Sequence, residues 1–569
     1  MREMQGAPVC RLQIMECRVC ARVYKKDERM KVKIRAFKDS DTSVVGLMED
    51  SIRKSWNAPA YTDYGTPLTY TYGDVARKIA ALHRLFGDLG LKPGDKVALC
   101  DKNSSNWAVS FLAALTYGLV VVPILPDFSP EQIEHIFVHS DSKLMMGGGR
   151  LADYAVRPLL NVADWRMADG SRSIDDYDMS GLTAADVKYF REDPEALALI
   201  SYTSGSTGHS KGVMLPYRSI WSNVMFADEV LGLERGTRTM ALLPMAHMYG
   251  FAFDFIYEFC DGCHVHYLTK TPSPAVVMNA FSDVKPGIFI AVPLIIEKIV
   301  TGKIFPVLRT PRVRTLLKFP FTRSLVYKQI RKRLICAFGG EFYEIIVGGA
   351  AFNKDVENFL AKIKVPYTVG YGMTECGPII GYADWHRFVK GSCGKAAPRM
   401  EVKIVSKDPA RVPGEILVRG TNVMLGYYKN EAETAEAIDR DGWLHTGDLG
   451  TIDRDGNIFI RGRKKTMLLG ANGQNVYPEE IEDTVLSNTY FEECVVVQRG
   501  EKLVALVYIS DKELEAHGMT REGILADLDR YRRHLNTLLP RFANLAGIEL
   551  QAEEFEKTPK RSIRRYLYS

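Results

Sequence analysis

The sequence lacks a disulfide frame, a strong charge of either sign and a Walker-type phosphate loop, and each absence narrows what the chain can be. Its 10 cysteines are scattered rather than spaced as a framework. Cys17 and Cys20, with Cys10 upstream, and separately Cys260 and Cys263, show the two-residue gap of zinc sites. Neither has a second half at matching spacing, so both read as unliganded thiols. The 74 basic and 69 acidic side chains leave a formal charge of +5, which argues against nucleic acid as a partner. No long apolar core opens the chain as a secretory signal would, so the expectation is a cytoplasmic protein. One uncharged window, residues 103–126, has the length of a membrane span. Gly118 and Pro123 interrupt it, residues 112–116 suit a helix and 120–125 a buried strand, so it reads as core. Acids are missing altogether from residues 298–340, where Arg309, Arg312, Arg314, Lys318, Arg323, Lys328, Arg331, Lys332 and Arg333 sit among Leu, Phe, Val and Ile. That pattern is either a solvated surface or a basic amphipathic face for peripheral contact with anionic lipid.

With 46% apolar residues over 569 positions, the chain can bury large cores. From Tyr72 onward helical stretches such as "YGDVARKIAALHRLFGDLG" alternate with short apolar runs such as "DKVALCD", "EALALISYT", "RTMALLP" and "GIFIAVP". This predicts an α/β fold of parallel sheets flanked by helices, with ligands beyond the carboxyl ends of strands. After about residue 391 the texture changes to strands with tight turns, and the Asp-Gly pairs at 441 and 455 are hairpin chemistry. "PEEIEDTVLS", a hairpin over "ECVVVQRGEKLVALVYI" and "REGILADLDRYRRHLNTLLP" then predict a small α+β unit. The expected organisation is an unassigned segment 1–31, a large domain 32–462 with a β-rich subdomain from about 391, and a mobile C-terminal lid 463–569.

The stretch "SYTSGSTGHSKGVML", residues 201–215, combines three glycines, several hydroxyls and one lysine at a predicted strand end. Glycines let successive N–H groups converge on an anion, and hydroxyls add donors. Counted from Gly205, however, Ser210 stands where a Walker loop requires its second glycine. A phosphate loop of another kind and an ordinary solvated connection both remain open on this stretch alone.

The ordered set "SGSTG", "LLPMAHMYG", "VGGAAF", "VGYGMTECGP", "GEILVRGTNVMLGYY", "GWLHTGDLG" and "GRKKTMLLGANGQNVYPEEIE" resembles the adenylate-forming superfamily, which includes acyl-CoA synthetases. That resemblance implies activation of a carboxylate by ATP to an acyl-adenylate with loss of pyrophosphate, then thioester formation with CoA. It implies that Ser204, Gly205, Ser206, Thr207 and Gly208 wrap the β- and γ-phosphates, with Lys211 holding the loop or the leaving group. Glu375 is then the Mg²⁺ ligand, and Thr374 touches the α-phosphate. Gly348, Gly349 and Ala350 form a ledge for adenine, with Tyr371 and Gly372 beside it. Asp448 accepts from the ribose hydroxyls, Arg463 adds a donor, and His247 lines the acyl pocket. Lys465 is the hinge of the lid, and Gly473 belongs to the loop lining the CoA tunnel. The plain alternatives for Glu375, Asp448 and Arg463 are a helix N-terminal acid, a turn residue and a solvated cation.

The chain departs from the family at one place. The lysine expected near the C-terminus aligns with Ser562 in "KTPKRSIRRYL", leaving Lys560 or Arg564 as a substitute, of which Lys560 is the one to test. The stretches "IFIAVPLIIEKIV" and "RKRLICAFGGEFYEIIVGGAAF" are most similar to the long-chain fatty acid branch, which implies a fatty acid, ATP and CoA as substrates. A carrier-protein phosphopantetheine as acceptor, and a catalytically weak acyl- or nucleotide-binding protein, are the alternatives.

Overall fold

The computed structural model describes residues 43–148, 151, 158–204, 210–270, 272–469, 475–500, 502–557 and 563–568. Apolar runs in the first half enter an eight-stranded mixed sheet. Strand Lys96–Cys100 lies at its middle, parallel to Val120–Pro123 on one side and Ser142–Gly147 on the other. These strands are buried almost throughout, which is why they read as continuous apolar runs rather than alternating ones. The uncharged window at 103–126 is a helix followed by one of these strands. The helix spans Ser105–Tyr117, longer than the sequence suggested, because Ser104 caps it by accepting from the Trp107 N–H and Gly118 ends it at φ 89°. Among the described residues no helix is long and apolar enough to cross a membrane.

Beyond Val120–Pro123 the sheet continues through Leu197–Ser204, which turns back into Ser210–Pro216 as an antiparallel hairpin. Gly426–Tyr427 adds the edge strand beside it. The glycine-rich turn therefore joins two antiparallel strands and not a strand to a helix. A second sheet contains Arg238–Ala241, His264–Leu268, Pro59–Tyr64 and Thr69–Thr71, and a third is the parallel trio Phe289–Ala291, Ile345–Val347 and Tyr367–Val369.

The β-rich part is the antiparallel set Met400–Val405, Gly414–Gly420, Leu444–Ile452 and Ile458–Arg463. Asp455 and Gly456 turn its last hairpin, with Gly456 at φ 87°. The pair Asp441-Gly442 instead closes a small loop bridged between Ile438 and Leu444. Near the C-terminus, Glu493–Arg499, Lys502–Tyr508 and Leu545–Leu550 form a three-stranded sheet covered by helices Pro478–Asn488 and Arg521–Leu538. Val485, Leu503, Ala505, Leu535 and Ile548 are among the residues of its separate core.

Candidate functional site

Four side chains gather beside the hairpin that carries the glycine-rich turn. Register pairs Ser204 with Ser210 and Thr203 with Lys211, so Lys211 is held one step below the turn. Residues 205–209, with Gly205, Ser206, Thr207 and Gly208, and the side chain of Ser204 lie outside the described residues. Lys211 Nζ forms an ion pair with Glu433 Oε1 at 2.8 Å and sits 5.3 Å from the centre of the Tyr427 ring. Edge-strand pairing of Gly426–Tyr427 with Met214 and Val213 brings that ring here. The Tyr427 hydroxyl donates to Glu375 Oε1 at 3.0 Å, and burial, followed by the Glu375 charge, pushes this phenol well above its ordinary range. Glu375 and Thr374 occupy a short helical turn, Thr374–Cys376.

The Glu375 carboxylate suits a hard cation, since it supplies anionic oxygen. Among the described residues no group of three or more His, Cys, Asp or Glu could hold a metal. A cation on Glu375 would take its remaining ligands from phosphate oxygens and water, as Mg²⁺ does with nucleotides. Cys260 and Cys263 are buried free thiols.

A second cluster lies along the ends of neighbouring strands. The ledge 348–350 follows strand Ile345–Val347. A side chain at Gly348 would meet the Tyr249 ring at 3.1 Å, and Gly349 has φ +87°, while Gly349 and Ala350 are exposed. Tyr249 donates to the Ile346 carbonyl at 3.2 Å. His247 caps the same helical turn, its Nδ1 accepting from the Tyr249 N–H at 3.3 Å. The sequence reading singled out His247 but not the ring two positions on, which is the one that supports the ledge.

Tyr371 is buried, and its hydroxyl donates to Asp448 Oδ2 at 2.7 Å. Gly372 follows because a Cβ there would stand 2.3 Å from the Pro378 carbonyl oxygen. Asp448 is itself only 4% exposed. Its other oxygen receives Arg463 Nε at 2.9 Å, a pair set by strand register, and Arg463 is 60% exposed. Burial raises the Asp448 carboxyl above its ordinary value, while Arg463 and Tyr371 hold it down. The outcome is a desolvated acceptor held between a buried phenol and an exposed cation.

Lys465, the expected hinge, is exposed, and next to it Thr466 Oγ1 donates to Glu479 Oε1 at 2.6 Å. Gly473, Lys560 and Ser562 lie outside the described residues. Just beyond them, Arg565 Nη1 donates to the buried Glu482 at 2.7 Å. The contacts of Glu433 went unread in the sequence; Tyr427, Tyr249 and Glu479 lie inside the stretches "GEILVRGTNVMLGYY", "LLPMAHMYG" and "GRKKTMLLGANGQNVYPEEIE", so a signal was present for them although no role was assigned.

Residues 48–428 match the family model of the AMP-binding enzyme, and residues 465–568 match that of the AMP-binding enzyme C-terminal domain. The chain belongs to the AMP-binding enzyme family. Within it, a long-chain-fatty-acid–CoA ligase of Escherichia coli O157:H7 is 28% identical over 535 residues, covering 84% of this chain and 87% of that protein. A 4-coumarate–CoA ligase-like protein of Oryza sativa subsp. japonica is 30% identical over 464 residues, 77% and 78% of the two chains. In fold, this AMP-binding enzyme is similar to the anthranilate CoA ligase AuaEII in complex with anthranoyl-AMP, with TM-score 0.74, 20% identity, and 92% and 96% of the chains covered. It is an adenylate-forming enzyme of the AMP-forming acid–thiol ligase kind.

Proposed function

We propose that the enzyme activates a long-chain fatty acid with ATP, releases pyrophosphate, and transfers the acyl group to CoA. The observation that carries the nucleotide half is the buried Asp448 carboxylate held between Tyr371 and Arg463, an acceptor pair suited to two ribose hydroxyls. The opposing difficulty is charge. A carboxylate must approach a triphosphate, and two unit charges 4 Å apart interact by about 4 kcal/mol at an effective dielectric of 20. In this reading Ser204 to Gly208 and Lys211 offset the phosphate charge, with Glu375 holding the Mg²⁺ that accompanies the nucleotide. Lys211 exchanges its Glu433 partner for phosphate as ATP enters. The adenine lies on 348–350, His247 faces the acyl chain, and the lid turns about Lys465 to bring Gly473 to the CoA arm.

The long-chain assignment is supported by the relatives named for that activity and by the sequence around residues 288–352. The relative named for 4-coumarate makes an aryl acid the competing substrate. Pyrophosphate release from ATP, measured with palmitate against 4-coumarate and acetate, separates them. Palmitate-dependent release followed by palmitoyl-CoA formation is expected; release with 4-coumarate alone would overturn the fatty acid assignment. Ser562, in place of the expected lysine, supports a second reading as a weakly catalytic binder, and absence of AMP with every acid would favour it.

A further inference from the structure

Residues 301–333 project from the large domain without any of them being buried. Helices Phe305–Arg309, Pro311–Lys318 and Pro320–Ala337 follow one another, and the last two pack against each other as a hairpin. The hairpin is rooted at one end only, where Leu334 and Ile335 are buried, Phe305 meets the Phe359 ring edge-on, and Lys362 covers the Tyr327 ring. At the free end, Pro320 separates Phe319 and Phe321, which are 61% and 76% exposed; Leu316 and Leu325 beside them are also exposed.

Single exposed apolar side chains are ordinary. Here four fall within residues 316–325, in a segment with no acid between residues 298 and 340. Arg309, Arg312, Arg314, Lys318 and Arg323 have no ion-pair partner among the described residues. Between the first two helices, Phe305, Leu308, Arg309 and Arg314 line an open cleft of about 410 Å³, which offers guanidinium and apolar walls together. A second copy of this surface would bring cations against cations, so self-association through it is disfavoured. An aromatic tip flanked by unpaired cations instead matches a bilayer interface, where rings enter the headgroup boundary and long basic side chains reach out to anionic groups.

We infer that this hairpin is a lipid-docking element: Phe319 and Phe321 enter the interfacial layer of an anionic membrane, and Arg309, Arg312, Arg314, Lys318 and Arg323 bind its headgroups. The inference rests on the hairpin alone, and its test needs neither ATP nor an acid.

The full-length protein is sedimented with vesicles of phosphatidylcholine, with and without phosphatidylserine. Binding to the anionic vesicles, weakened by salt, is expected. The double variant Phe319→Ala/Phe321→Ala lowers partitioning at least about tenfold, since each ring loses its apolar burial. Replacing Arg309, Arg312, Arg314 and Lys318 by Gln lowers it more than about a hundredfold, at roughly fivefold per basic group. Thermal midpoints of both variants match the parent, as none of these residues is buried. Quenching of the indole introduced by Phe321→Trp, using brominated lipid, reports insertion directly. Equal partitioning of parent and variants, or equal binding to both vesicle types at all salt concentrations, overturns the proposal. So does a parent that ignores vesicles and binds through these residues to an acidic protein or to itself, read by light scattering.

Discussion

Tyr427 links the two charged groups beside the glycine-rich turn: its hydroxyl holds Glu375 at 3.0 Å while its ring lies under Lys211. Tyr427→Phe keeps the ring and removes the bond, leaving the carboxylate free to rotate. Pyrophosphate release is expected to slow about tenfold, the equivalent of one hydrogen bond to a charged group. Its Mg²⁺ dependence moves to higher concentration while KM for the acid stays unchanged. Unaltered Mg²⁺ dependence would remove Tyr427 from that role.

Asp448 should separate binding from stability. Asp448→Asn weakens acceptance from the ribose hydroxyls, so KM for ATP rises by between about tenfold and a hundredfold. Thermal stability is expected to hold or improve, because a desolvated carboxylate is removed and Arg463 remains in water. Tyr371→Phe gives a smaller rise in KM. A large loss of Tm with unchanged KM would assign Asp448 to the fold alone.

Glu344 is expected to make the stability of the enzyme depend on pH. It is fully buried, and burial raises its carboxyl to about 8, even though it accepts from the Tyr382 hydroxyl and the Trp385 N–H. The ordinary value is 4.5, so between these two limits the folded protein keeps a proton that the unfolded chain has lost. Stability then falls as pH rises through that window and levels off above it. Glu344→Gln, whose amide can accept from Trp385 and donate to Tyr382, should flatten this decline in Tm. Parallel declines in both proteins would show that Glu344 is ionised in the fold.

Gly372→Ala tests the close approach of two backbone segments beside the Tyr371–Asp448 cluster proposed to bind the nucleotide. The added methyl would stand 2.3 Å from the Pro378 carbonyl oxygen, so one segment must shift. A stability loss of about 1–3 kcal/mol is expected by denaturant titration, together with raised KM for ATP as Tyr371 and Thr374 move. A neutral change would mean that the two strands are free to part.

Lys560→Ala addresses the missing lysine. Acyl-adenylate formation should slow more than thiol transfer from preformed adenylate. Equal slowing of both steps, or of neither, discards Lys560 as the substitute for the charge that Ser562 cannot supply.

Much of the architecture was readable because burial wrote itself into residue type. Runs such as residues 97–100 and 120–123 are apolar because both faces of their sheet are covered, and the turn at Asp455-Gly456 announced its hairpin. The hairpin nature of the glycine-rich turn was less visible, since the short run after Gly212 carries no signal that says antiparallel. Site geometry was hidden for a different reason. Tyr427 with Glu375, and Tyr371 with Asp448, are separated by 52 and 77 positions; the first pair joins an edge strand to a helical turn and the second joins two different sheets, so only tertiary packing brings such side chains together. In the acid-free stretch composition announced the exposed cations, whereas the two phenylalanines at its tip needed helix boundaries to be placed.

Carrying the turn on a hairpin restricts how its length can change. Ser204 and Ser210 are locked opposite each other, while Val213 and Leu215 point into the core. Sliding Ser210–Pro216 by one step to absorb an inserted residue would expose both apolar side chains and swing Lys211 to the opposite face. An insertion of one residue must therefore be taken up between those two serines and not along the paired strands, so the turn can vary in length only where the register of the hairpin is untouched.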